Sequence, residues 1–224
     1  GTMRDGHGRI TIDGFYDDVR GVPDADRELL EPLEPDPENL LADLGVDGFQ
    51  DGPGETFLER TLYNPTLNVN GIRGGHSEEG FKTIVPSDAS ASIDMRLAPN
   101  QDPDDIYEKF AAHVEAHADD RLTTTVTRHA DMDPTRTPTD TPFRGPVVEA
   151  VQEGWGEEPV VKPASGGSAP YALFTNYLGL PHISVPYGQG NNNQHSPNER
   201  FAVDHFRKGI RTSTRLLSAV AEAE

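Results

Sequence analysis

The sequence predicts an α/β chain: an α+β region with an antiparallel sheet and helices on one face, then a region of short apolar strands and helices. Three observations carry this. Residues 89 to 97, ASASIDMRL, alternate strictly, with Ala91, Ile93, Met95 and Leu97 on one side and Ser90, Ser92, Asp94 and Arg96 on the other. That is the pattern of a strand with one buried and one wet face. Residues 102 to 118, DPDDIYEKFAAHVEAHA, place Ile106, Phe110, Val114 and Ala118 at helical spacing behind an Asp-Pro start. Residues 132 to 142, MDPTRTPTDTP, hold three prolines without periodicity, so a linker is expected between a first region, 1–133, and a second, 134–224.

In chain order, residues 8 to 14 alternate around Ile10 and Ile12 as a short strand or extended arm. A helix is expected to start at Asp24 and run towards Leu33, because acidic residues open it and Leu29, Leu30 and Leu33 recur at helical spacing. Pro32, Pro35 and Pro37 interrupt it, PENLLADLG restarts it, and Gly45 ends it. From Phe57 the pattern reads as strand through Leu67, Val69 and Ile72, with a bulge at Gly71. Phe81 to Pro86 and residues 121 to 130, RLTTTVTRHA, are further expected strands. In the second region, PFRGPVVEAVQEGWG is an expected amphipathic helix. An apolar run at 159–161, a Gly-Gly-Ser turn and an apolar strand from Leu180 to Tyr187 follow. The chain then closes on a helix expected to turn Phe206, Ile210, Leu217 and Val220 inward.

Composition narrows the function. The 224 residues include 38 acidic and 19 basic ones, a formal net charge of −19, with lysine only at 82, 109, 162 and 208. Such a surface repels nucleic acid and anionic membranes, and no apolar run approaches a membrane span, so neither partner is expected and a cytoplasmic location is. An even coat of carboxylates with few lysines suits a halophilic, high-salt cytoplasm, where salt screens self-repulsion; an ordinary acidic enzyme is the alternative. With zero cysteines, any metal must rely on His and carboxylates.

Two long stretches carry the chemistry. Lys162 to Glu199 runs from KPASGGSAPYALF to GQGNNNQHSPNERF, so that His195 follows a strand's C-terminal end and seven residues of Gly, Asn and Gln. Open α/β sheets bind ligands at such ends. Residues 64 to 103 read NPTLNVNGIRGGHSEEGFKTIVPSDASASIDMRLAPNQDP. Taken separately, a His before Ser-Pro-Asn-Glu is an ordinary helix flank and a Gly pair an ordinary turn. Together, the order GGSxP, LGxP and HxPNE, with KTIVP and RLAPNQ upstream, resembles the M20 metallopeptidases: dizinc dipeptidases, carboxypeptidases and N-acyl-amino-acid deacylases, including carnosinase-like enzymes.

The resemblance implies a lid or dimerisation domain followed by the C-terminal βα part of a zinc-peptidase domain. It implies a homodimer formed through the lid, a small peptide or N-acyl amino acid as substrate, and two zinc ions in the intact enzyme. By the same resemblance His195 is a metal ligand, Arg96 binds the substrate carboxylate from the neighbouring subunit, and Thr83, Gly166, Gly167 and Ser168 bind substrate. An arginine fork suits a carboxylate, and a turn with exposed N–H groups suits an anion. The H-x-D motif and the Glu-Glu pair that the family carries in its N-terminal half have no counterpart in context. Glu78-Glu79 and Glu157-Glu158 read as solvated turn acids, and His76 as an exposed loop residue. The isolated chain is therefore expected to be inactive. The competing readings are a non-catalytic dimerisation or binding module, and a single-metal enzyme with carboxylates converging on His195.

Overall fold

The computed structural model describes residues 2–49 and 56–222. The elements in order are α1 (Asp24–Leu30), a 3₁₀ turn (Glu31–Leu33), α2 (Pro37–Leu44), α3 (Phe57–Tyr63), β1 (Thr66–Gly74), β2 (Ala89–Arg96), α4 (Pro103–Ala116), α5 (Arg144–Trp155), a π turn (Leu173–Tyr177) and α6 (Val203–Glu222). They fall into two compact units, one of Gly1–Thr135 with Ala164–Ala172 and one of Arg136–Pro163 with Leu173–Glu224. The Gly-Gly-Ser loop, placed by sequence in the second region, thus lies in the first unit.

The first unit is built on the antiparallel pair β1–β2, in register from Thr66 opposite Arg96 to Gly74 opposite Ala89. The expected bulge is present: the register shifts between Val69 and Gly71, leaving Asn70 as the extra residue. The alternation of β2 sends Ile93, Met95 and Leu97 onto a core of Ile10, Ile12, Phe15, Leu67 and Ile106, with Phe110 of α4 beside them. The arm 8–14 therefore lies under the sheet. Buried Gln101 ties the turn after β2 to that arm, its amide nitrogen donating to the Phe15 carbonyl at 2.7 Å while its oxygen accepts from Ala98 N–H at 2.7 Å. The α4 start is as expected: Asp102 accepts from the N–H groups of Asp104 and Asp105, with Pro103 at the first position.

A second small core joins α1 to α3 through Leu30, Leu58 and Tyr63. Here the sequence reading needs correction, because residues 57 to 63 are helix and the strand starts only at Thr66. Thr56 caps α3 by accepting from Glu59 N–H, and the Glu34 carboxylate accepts from Phe57 N–H at 2.6 Å. Both acceptors satisfy donors that a helix start leaves open, and the second comes from 23 residues away. Tyr63 donates to buried Asp26 at 2.7 Å, fixing α1 on α3. Residues 81–86, 121–130 and 180–187, expected as strands, join no ladder among the described residues. A strand exists through its hydrogen-bonded neighbour, which local pattern cannot supply.

In the second unit α5 packs on α6. Gly154 is essential to the fit, since a Cβ there would lie 2.5 Å from the Thr212 Cα and 2.3 Å from its Oγ1. Gly156 (φ 91°) ends α5 in the left-handed conformation, as expected from sequence. The inward face of α6 needs a second correction. Gly209 and Thr212 are its buried residues, while Phe206 (60 % exposed), Ile210 (54 %), Leu217 (78 %) and Val220 (42 %) remain in the open.

Candidate functional site

Arg96 ends β2 on the polar side of the alternation, and its Nη1 donates to the Ser168 Oγ, 72 residues further along the chain. Both residues belong to the first unit. The Arg96 Nε also lies 3.5 Å from Asp94 Oδ2, so the guanidinium is held on two sides while its side chain stays 49 % exposed. That combination of an oriented fork with an open edge is what a carboxylate ligand requires.

The loop that carries Ser168 rests on α3. A Cβ at Gly166 would stand 3.1 Å from the Thr61 carbonyl oxygen, so that backbone approach favours glycine. Gly167 N–H donates to the Ser165 hydroxyl at 3.2 Å. A Gly-Gly-Ser turn in sequence suggests two open glycine N–H groups, whereas one of them has a local acceptor. Thr83 lies in the exposed irregular segment 81–86, and no hydrogen bond ties it to the Arg96–Ser168 pair among the described residues.

His195 belongs to the second unit, at the tip of a loop closed by its own hydrogen bonds. Ala202 N–H donates to Gln189 Oε1, Arg200 N–H to the Asn192 carbonyl and Arg200 Nε to the Asn191 carbonyl. Asn193 (φ 56°), His195 (φ 61°) and Asn198 (φ 63°) all adopt the left-handed backbone. For non-glycine residues that conformation costs of order 1–3 kcal/mol each. Asparagine carries it most readily, which gives the Asn-rich run before His195 a physical purpose.

A brace at the root of this loop has no signature in the sequence. The His205 ring nitrogen Nδ1 lies 3.1 Å from the Tyr187 carbonyl and the Tyr187 hydroxyl 3.0 Å from Ser213 Oγ. The Trp155 ring meets His205 edge-on at 4.9 Å and stacks on Tyr187 at 6.2 Å. Trp155 and His205 sit on different helices from different parts of the chain, so no local motif announces them.

His195 is exposed, and no group of three or more His, Cys, Asp or Glu able to hold a metal occurs among the described residues. A structural or catalytic zinc takes at least three protein ligands. These residues alone therefore do not fit a metal centre.

His182 is a separate titratable feature of the second unit. Burial lowers its pKa from 6.5, while its backbone N–H donates to Thr137 Oγ1 at 2.8 Å. The folded unit holds His182 neutral more strongly than the unfolded chain does. Its contribution to stability is full above about pH 6.5 and declines as pH falls towards the lower folded value. The melting temperature should accordingly fall more between pH 7.5 and 5.5 in the native protein than in His182→Gln, which has no proton to gain. Parallel curves would refute the assignment.

Residues 21–121 match the family described as the M20 peptidase dimerisation domain. The Cys-Gly metallodipeptidase DUG1 of Saccharomyces cerevisiae is 26 % identical over 233 residues, an alignment spanning 100 % of this chain and 47 % of the yeast protein. The Beta-Ala-His dipeptidase of Rattus norvegicus is 27 % identical over 116 residues, 52 % of this chain and 24 % of the rat protein. Among solved structures, an M20 family metallo-carboxypeptidase from Sulfolobus solfataricus superposes with a TM-score of 0.87 at 33 % identity, covering 98 % of this chain and 50 % of that one. The chain thus spans about half the length of the longest-matching relatives.

Proposed function

The chain carries an M20 peptidase dimerisation domain and is homologous to the Dug1 and carnosinase-like dipeptidases; from that premise we propose that it works as one half of a metal-dependent amidohydrolase. Its substrate would be a dipeptide or N-acyl amino acid. Residues 1–133 serve as most of the lid and residues 134–224 as the end of the catalytic domain. The Arg96–Ser168 contact is the observation that supports this most directly. It joins two of the residues that the motifs single out, across 72 positions, into one small polar cluster with an open edge. Arg96 would clamp the substrate carboxylate, with Ser168 and the Gly166 and Gly167 backbone completing the seat. Thr83 is the outlying member of that set.

His195, on its strained and pinned loop, would be this chain's contribution to a zinc centre. The remaining ligands, and the base that takes the proton from the attacking water, would come from the half not spanned. The even acidic surface supports a halophilic cytoplasmic enzyme, and deacylase activity falls within the substrate class proposed.

The carboxylate seat can be tested on the protein as it stands. Titrating glycylglycine into ¹⁵N-labelled protein should shift the Arg96 Nε and the Gly166, Gly167 and Ser168 amide signals at millimolar concentration. Arg96→Ala should abolish those shifts. Equal shifts with glycylglycinamide, which lacks the carboxylate, would reject the clamp.

The dimerisation domain suggests a homodimer, and we place its contact on β1–β2 and α4. Val69 (53 % exposed) and Ile72 (81 %) on β1 are apolar side chains without cover, and two-fold pairing of one such surface gives an isologous contact. Light scattering in molar KCl should give twice the chain mass at micromolar concentration. A strict monomer there would count against this contact.

A further inference from the structure

We propose that Asp94 sets the specificity of the Arg96 seat, so that the residue whose carboxylate is clamped there is a basic one, lysine or arginine, and not an acidic one. The inference rests on the carboxylate clamp proposed above and names the class of C-terminal residue that it takes.

A line of polar groups crosses the wet face of the sheet. Arg96 Nη1 donates to Ser168 Oγ, and Arg96 Nε lies 3.5 Å from Asp94 Oδ2. The other oxygen of that carboxylate, Oδ1, accepts from Asn70 Nδ2, also at 3.5 Å. Asn70 is the residue that the β1 bulge leaves out of register, and bulges re-aim side chains in this way. Asp94 and Arg96 stand two positions apart on β2, so both point to the same face. The pair therefore acts as one unit, whichever subunit's substrate it meets.

A charged neighbour is a costly choice at this position. Orienting a guanidinium needs only a hydrogen-bond acceptor, which Asn, Gln or Thr supplies without charge. A carboxylate beside a seat for carboxylates weakens every ligand by like-charge repulsion, unless the ligand brings a cation of its own. The Asp94 side chain is 38 % exposed and both its contacts are long, so it keeps room to meet such a group.

The partner follows from covalent geometry. The side chain of a clamped residue leaves the Cα next to the clamped carboxylate, and the long stem of lysine or arginine spans the short distance from Arg96 to Asp94. An acidic side chain in the same place meets Asp94 with the same sign. The site thus combines an attraction for one class with a repulsion of the other, which is how specific sites discriminate.

The test titrates glycyl-lysine, glycylglycine and glycyl-glutamate into the ¹⁵N-labelled protein at about 0.05 M ionic strength, where screening is weak. Dissociation constants are read from the Arg96 Nε and Ser168 amide signals. At the dielectric of an exposed site, one attraction and one repulsion of about threefold each should separate glycyl-lysine from glycyl-glutamate by roughly tenfold. Asp94→Asn should shrink that ratio to about twofold or less, whereas Asp94→Glu, which keeps the charge, should retain most of it. Asp88→Asn removes a carboxylate at the far end of β2, about 20 Å away, and should leave the ratio intact. The ratio is the readout because a loosened Arg96 weakens all three ligands alike. An unchanged ratio in Asp94→Asn would overturn the proposal, while Arg96-dependent binding of glycylglycine in the same experiment would leave the clamp standing. Equal loss in Asp88→Asn would overturn it too, since the preference would then belong to the overall charge of −19. If none of the three dipeptides moves these signals, the clamp itself fails and the proposal with it.

Discussion

In a complete enzyme that joins this chain to its complementary half, His195→Asn is expected to lose zinc and to lower kcat/KM by about a hundredfold or more, whatever the substrate. The physical reason is the ligand count. A zinc site relies on three or four protein ligands, and even partners outside the ligand set are worth 10- to 100-fold in metal affinity or activity. Removing a ligand itself should cost at least as much. Asparagine is the informative replacement because residue 195 sits at φ 61°, a conformation Asn adopts readily. The loop is thus preserved while the imidazole is removed. His195→Ala loses the ligand and adds backbone strain, so its melting temperature should drop where that of His195→Asn does not. Full zinc content and full turnover in His195→Asn would dismiss the assignment. The 224-residue chain by itself is expected to hydrolyse nothing, and robust peptidase activity from it would show that a second ligand set lies within it.

Salt should stabilise this protein strongly. Raising KCl from about 0.1 to 2 M is expected to lift the melting temperature by roughly 5 °C or more, taking about 2–4 °C per kcal/mol for a chain of this size. Two opposing effects compete. Screening weakens the exposed ion pairs, such as Arg121–Asp119 and Arg128–Asp104, both at 2.6 Å. Exposed pairs contribute only about 0–1 kcal/mol each. Screening also relieves the mutual repulsion of a chain with a formal net charge of −19. That repulsion is spread over the surface, and its range shrinks from about 10 Å at 0.1 M to about 3 Å at 1 M ionic strength. Relief of many repulsions outweighs the loss of a few weak attractions, which sets the sign. A melting temperature flat or falling in KCl would mean that the acidic coat serves solubility alone.

Much of the helix and strand pattern in both units is legible in the chain because its signals are local. Asp102 caps α4 through N–H groups two and three residues away, Gly45 and Gly156 end α2 and α5 through their own φ angles, and the alternation of β2 is a property of consecutive residues. The motifs around Arg96, Ser168 and His195 are likewise visible as residue types in order. Tertiary structure decided what depends on distant partners. Residues 57 to 63 form a helix whose first turn finds acceptors in Thr56, a local cap that the strand reading overlooked, and in Glu34, a distant partner that no local pattern registers. Arg96 met Ser168 only through folding, and the brace of Trp155, Tyr187 and His205 under the His195 loop arose from three separate segments. The apolar residues of α6 are recognisable by their spacing, but which of them would be covered is not. Periodicity reports that a face avoids water, whereas only packing against a particular neighbour determines what shields it, and on α6 that neighbour reaches Gly209 and Thr212 and stops.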